Sequence, residues 1–167
     1  MEKKHIFLIG FMGAGKSSIA KELQEQLQRP VIEMDERIVR EQGMSINDIF
    51  AQFGEERFRD IESALVDTIG NEEASIVSCG GGAVLREKNR VRMKETGTIV
   101  YLTAEPETIY ERVKDSTDRP ILNENMSVEH IRGLMEKRRA LYEDAADVSI
   151  STDGKTTAEI CQEIINV

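Results

Sequence analysis

Cysteine is scarce: Cys79 and Cys161 are the only two among 167 residues, far apart and without C-x-x-C spacing. No disulfide staple is expected, and with only His5 and His130 to join them neither is a zinc centre. Long apolar runs are missing as well. The stretch Met-Glu-Lys-Lys-His leads into an apolar run of only about four residues, too short for a secretion signal or a membrane span. Basic charge is in deficit, since 22 Lys and Arg against 31 Asp and Glu leave a net charge of −9. That argues against a sequence-independent grip on nucleic acid, which depends on neutralising phosphates with cations. Internal repeats, low-complexity tracts and linkers are also absent. One domain over residues 1–167 is therefore expected, monomeric and in a reducing cytoplasm.

What is present centres on residues 5–28, HIFLIGFMGAGKSSIAKELQEQLQ. Gly10, Gly15, Lys16 and Ser17 fit the pattern G-x-x-x-x-G-K-[ST], with Gly13 inside the turn. By average composition that pattern should arise by chance in under roughly 1% of chains this long. Its context also fits, because the continuous apolar run Ile6 to Ile9 suits a buried strand and Ile19, Leu23 and Leu27 make a helical stripe. Glycines let successive amides curl around phosphate oxygens, Lys16 adds a charge for the β- and γ-phosphates, and Ser17 offers a hydroxyl to a hard cation such as Mg²⁺. The following helix N-terminus adds partial positive charge.

Apolar runs alternate with periodic segments along the rest of the chain, which predicts βαβ units and a parallel sheet. Val31 to Asp35 reads as a second strand ending in Glu33 and Asp35, two carboxylates at the edge where such sheets bind ligands, or else ordinary caps of the next helix. Gly43 closes a short helix, Ser45 caps another, Gly54 breaks it, and Glu55 to Ile69 continues with Phe58, Ile61, Leu65 and Ile69 inward. Spacing alone pairs Arg59 with Glu55. Ser75 to Cys79 reads as the third strand and runs into Gly80-Gly81-Gly82, where either a ligand meets bare backbone or the loop is simply flexible. Thr98 to Leu102 is the fourth strand, and Pro106 opens a helix with Ile109 and Val113 inward and Arg112 between them. The polar stretch 114–126 around Arg119-Pro120 reads as a lid or a solvated loop. Ser127 caps a helix bearing Arg132, Arg138 and Arg139, Val148 to Ser151 is the fifth strand, and Thr156 with Glu159 forms a capping box for the last helix.

Taken together, these motifs resemble the shikimate kinase family over nearly the whole chain. The resemblance rests on G-F-M-G-A-G-K-S, Asp35, the run from Ser45-Ile46 to Ile49-Phe50, Gly54-Glu55 and Phe58-Arg59 with Glu62, Ser78 before the three glycines, Arg119-Pro120, and Lys137-Arg138 before Leu141-Tyr142. It implies a three-layer α/β/α P-loop kinase of the nucleoside-monophosphate-kinase type, with a five-stranded parallel sheet, a substrate-binding segment at about 33–62 and a lid at about 114–126. The implied reaction is phosphoryl transfer from ATP to the 3-hydroxyl of shikimate, on the route to chorismate and the aromatic amino acids. By resemblance, Arg59 and Arg138 hold the substrate carboxylate, Gly80, Gly81 and Gly82 meet the ring, and Asp35 contacts the hydroxyls and takes the proton. Gly13, Ala14, Gly15, Lys16, Ser17 and Ser18 bind ATP, Arg112 stacks on adenine, and Arg119 closes on the transferring phosphate. Mg²⁺ falls to Ser17 and, through a water, to Glu33. Many members carry aspartate where Glu33 stands, and often an aspartate and a proline where this chain has Ser151 and Ala158. Cys79 reads as packing.

Other readings share the loop. A gluconate or nucleoside-monophosphate kinase would not need two arginines facing a carboxylate. A GTPase-like switch lacks support, since no N-K-x-D is present and the only tempting D-x-x-G, Asp67 to Gly70, ends an amphipathic helix.

Overall fold

The computed structural model describes residues 5–114 and 127–167. Most of the expected lid, with Arg119, lies outside them. Five parallel strands, β1 (His5–Ile9), β2 (Val31–Glu33), β3 (Ile76–Ser78), β4 (Gly97–Thr103) and β5 (Val148–Ser151), form one sheet in the order β2-β3-β1-β4-β5. The described residues also form seven helices: α1 (Lys16–Leu27), α2 (Met34–Gln42), α3 (Ile46–Gly70), α4 (Glu87–Thr96), α5 (Pro106–Val113), α6 (Val128–Ala145) and α7 (Thr157–Ile165).

Strand side chains alternate between the two faces of the sheet, so the central strand β1 feeds two cores. Phe7 and Ile9 join Val77, Met34, Phe58, Leu65, Met93 and Tyr142 on the face covered by α2, α3, α4 and the end of α6. Leu8 joins Ile19, Leu23, Val100, Leu102, Ile109 and Ile160 on the face covered by α1, α5 and α7. This is the expected α/β/α sandwich. It explains why β1 reads as an unbroken apolar run, since both faces of a covered parallel sheet are dry.

Two local features depart from expectation. The second strand stops at Glu33, because it pairs only with the three-residue β3, in the register Val31↔Ile76 to Glu33↔Ser78. The chain turns helical at the buried Met34, which places Asp35 in the first turn of α2, where a negative charge complements the helix dipole. The break expected at Gly54 is present: its φ of 84° and ψ of 171° are non-helical and divide α3 into two helical stretches. Finally, α4 carries no apolar stripe and so has no signal in the sequence. Met93 is its one buried large side chain, and its start is tied down by Asn89 and Arg90 donating to the carbonyls of Ala83 and Val84.

Candidate active site

The loop between β1 and α1 curls as a phosphate cradle must. Gly13 and Gly15 both take left-handed backbone, with φ of 84° and 95°, and a side chain on Gly13 would lie 2.8 Å from Val113 Cγ1. No side chain caps α1 at Gly15, so its first-turn amides are available to an anion. Lys16 Nζ donates to the Gly10 and Phe11 carbonyls at 2.5 and 3.3 Å, which holds the ammonium against the loop. Arg112 Nη1 donates to the Gly13 carbonyl at 2.8 Å, tying α5 to the same turn. Asp153 steadies that helix from the loop after β5, accepting from Glu105 N at 2.9 Å and Thr108 Oγ1 at 2.8 Å. Ala14 faces differently from its neighbours. Its side chain is buried in the core and its N–H donates to the Phe11 carbonyl.

Ser17 Oγ donates to Glu33 Oε2 at 3.1 Å across the end of β2. Two hard oxygens from separate elements thus meet beside the loop, the donor type that Mg²⁺ prefers. Two side-chain oxygens alone fall short of a full shell, which suits an ion that keeps waters and shares phosphate oxygens.

Beyond β3 the three glycines form tight turns and not a loose loop, with Ala83 N donating to Gly80 O and Leu85 N to Gly82 O. Each is pressed by one of the side chains expected to bind substrate. A Cβ on Gly80 would stand 2.9 Å from Asp35 Oδ1, one on Gly81 3.3 Å from Arg138 Nη1, and one on Gly82 2.5 Å from Arg59 Cζ. Residues from α2, α3 and α6 therefore converge on one backbone segment, and a side chain at Gly80 or Gly82 would have to displace one of them.

Arg59 is buried, and its main partner is not the exposed Glu55. Glu55 Oε2 lies 3.5 Å from Arg59 Nε, whereas Glu62 Oε1, 1% exposed, accepts from Nη1 at 2.9 Å. The second Glu62 oxygen has no hydrogen-bond donor among the described residues and lies beside Gly80. Burial raises the Glu62 carboxyl above its ordinary value; the Arg59 charge opposes this, and Asp35 nearby adds to it. Cys79 is buried and its thiol is raised by desolvation, consistent with packing.

These groups line one cavity of about 390 Å³. Gly13, Gly15, Lys16, Ser17, Ser18 and Arg112 line it, and so do Asp35, Arg59, Gly80, Gly81, Gly82 and Arg138, with Glu33 among them. Ile46, Phe50 and Phe58 add an apolar wall, the two rings 5.0 Å apart. That wall is a site feature the sequence hides, because helical spacing makes such residues look like ordinary core. The buried Glu62 and Tyr142 likewise carry no local signal beyond their place in the motifs.

A glycine-rich phosphate-loop motif at the carboxyl edge of a β2-β3-β1-β4-β5 parallel sheet, opening into this cavity, defines a P-loop kinase of the nucleoside-monophosphate-kinase type. Comparison narrows the class. A family profile described as shikimate kinase matches residues 12–167. The shikimate kinase of Thermodesulfovibrio yellowstonii is 43% identical over 97% of this chain and 93% of its own length. Among solved structures, shikimate kinase from Acinetobacter baumannii in complex with shikimate superposes with a TM-score of 0.93 at 31% identity, covering 98% of this chain and 92% of that one. The enzyme from Aquifex aeolicus gives 0.84 at 34% identity, covering 97% and 94%. The chain belongs to the shikimate kinase family.

Proposed function

We infer that this chain transfers the γ-phosphoryl group of ATP to the 3-hydroxyl of shikimate, the step that leads on to chorismate and the aromatic amino acids. One observation carries the substrate assignment: Asp35, Arg59 and Arg138 press on three successive glycines in the same cavity that Lys16 lines. Two guanidinium groups facing one pocket are costly unless an anion lies between them, and their planar forks suit a carboxylate. The substrate ring then lies against the glycine backbone and the Phe50–Phe58 wall.

In this reading the Asp35 carboxylate orients the attacking hydroxyl and accepts its proton as the new P–O bond forms and the bond to the ADP oxygen breaks. Lys16, and Arg119 from the lid, balance charge on the transferring group. Ser17 and Glu33 are the residues that would hold Mg²⁺, which would supply further charge neutralisation at the phosphates. Arg112, already fastened to Gly13, faces the adenine end. The chain works as one domain, with residues 33–62 as its substrate segment and 114–126 as its lid, and we expect a cytoplasmic monomer that requires neither nucleic acid nor lipid. No helix among the described residues is long and apolar enough to cross a membrane.

Coupled ADP release with shikimate, gluconate, AMP and CMP offered separately tests the assignment. Turnover is expected with shikimate alone, and turnover only with gluconate or a nucleotide overturns it. Calorimetry with ATP and GTP is the companion measurement, with ATP preferred.

A further inference from the structure

Tyr142 lies one helical turn after Arg138 on α6, 1% exposed, and it does not line the cavity. Its hydroxyl nevertheless meets two groups that do. Oη donates to the Gly81 carbonyl at 2.5 Å, and the Arg138 guanidinium lies against the same glycine, its Nη1 3.3 Å and the Tyr142 hydroxyl 3.8 Å from where a Gly81 Cβ would stand. A phenol has one proton. With that proton given to the Gly81 carbonyl, the hydroxyl oxygen has only lone pairs to offer the nearby Arg138 charge. The ring itself is pinned, stacked on Tyr101 of β4 with centroids 5.0 Å apart and planes 26° from parallel. Behind the ring, Ala145 and the core on that face of the sheet close the slot.

We propose that Tyr142 is the positioning residue that sets the carboxylate-binding end of the site, locking the Arg138 guanidinium and the Gly81 carbonyl in one fixed relation; this rests on the reading that Arg138 takes the substrate carboxylate. A long arginine side chain is otherwise free to sample many rotamers, and that freedom must be lost when substrate binds. The stacked phenol removes it beforehand. Burial pushes the hydroxyl's pKa up to about 12, so its proton stays in place throughout the range in which the enzyme would be assayed. The consequence is selective. Tyr142 acts on how well the acid is held and discriminated, not on ATP.

The test is Tyr142→Phe, which deletes one oxygen and keeps the ring stack. Shikimate and ATP are varied separately, and the carboxamide analogue of shikimate is compared with the acid. KM for shikimate should rise roughly tenfold, about the worth of one hydrogen bond, with KM for ATP within about twofold. The preference for acid over carboxamide should fall by a similar factor, and in an Arg138→Ala background the Tyr142→Phe effect should vanish, because the residue acts through that arginine. Unchanged KM for shikimate, an equal rise in KM for ATP, or a full effect persisting without Arg138 each overturn the proposal. Tyr142→Leu is the second variant, expected to show the same split, and failure of both to fold would assign the residue to the core and overturn the idea. Wild-type enzyme inert toward shikimate would instead sink the functional reading beneath it.

Discussion

Arg59 and Glu62 form a buried ion pair within one turn of α3, Nη1 to Oε1 at 2.9 Å, with Arg59 against Gly82 and the second Glu62 oxygen against Gly80. The pair fixes where the guanidinium points. Removing one member leaves the other charged and buried, so Glu62→Ala should destabilise the fold by about 3–5 kcal/mol. Urea unfolding measures this, and a loss below about 1 kcal/mol would show that Arg59 finds a new partner at little cost.

The same carboxyl makes stability depend on pH. Because burial raises its pKa above the ordinary value of 4.5, folding favours the protonated acid. That contribution is complete below the unfolded-state value and is lost as pH rises through the folded one. Glu62→Gln should therefore gain stability relative to wild type as pH rises from the ordinary value of 4.5 toward neutrality. Denaturant titrations at both ends check the sign, and a difference that stays flat with pH would count against it.

Asp35 is placed to act on the reacting hydroxyl. Asp35→Asn is expected to lower turnover by roughly two orders of magnitude or more, the range for a lost general base, with ATP affinity kept. Near-normal turnover would remove Asp35 from the chemistry.

Arg59 and Arg138 should each anchor the acid. Alanine at either position is expected to weaken shikimate binding by about 2–3 kcal/mol, as for a charge-assisted pair losing its partner. Calorimetry reads this directly, and unchanged affinity would return both residues to purely structural roles.

Gly82 is the tightest of the three turns against a site side chain, with its added Cβ 2.5 Å from Arg59 Cζ. Since Arg59 is held by Glu62 and cannot simply swing away, Gly82→Ala should displace the guanidinium. The expected outcome is a rise in KM for shikimate of about tenfold or more, with a stability loss of about 1–3 kcal/mol. A variant with wild-type KM would mean that the loop yields instead of the arginine.

How much of this was legible beforehand follows from the range of the forces involved. The phosphate loop, the N-caps at Ser45 and Ser127, the capping box of Thr156 with Glu159, and β5 over Val148–Ser151 are all specified by residues within a few positions of one another, and the structure has them where the pattern puts them. Spacing pairs Arg59 with Glu55, and only burial makes Glu62 its closer partner. It could not end β2 at Glu33, because the short neighbour β3 decides that, nor reveal α4, whose polar sequence is held by contacts with the turn before it. The amino-acid sequence by itself determined that this chain cradles a phosphate and builds a parallel α/β sheet, because those signals are local and periodic. Only the tertiary structure decided that Asp35, Arg59 and Arg138 press on three consecutive glycines, because strand order brings together residues far apart along the chain and burial then selects which charges pair.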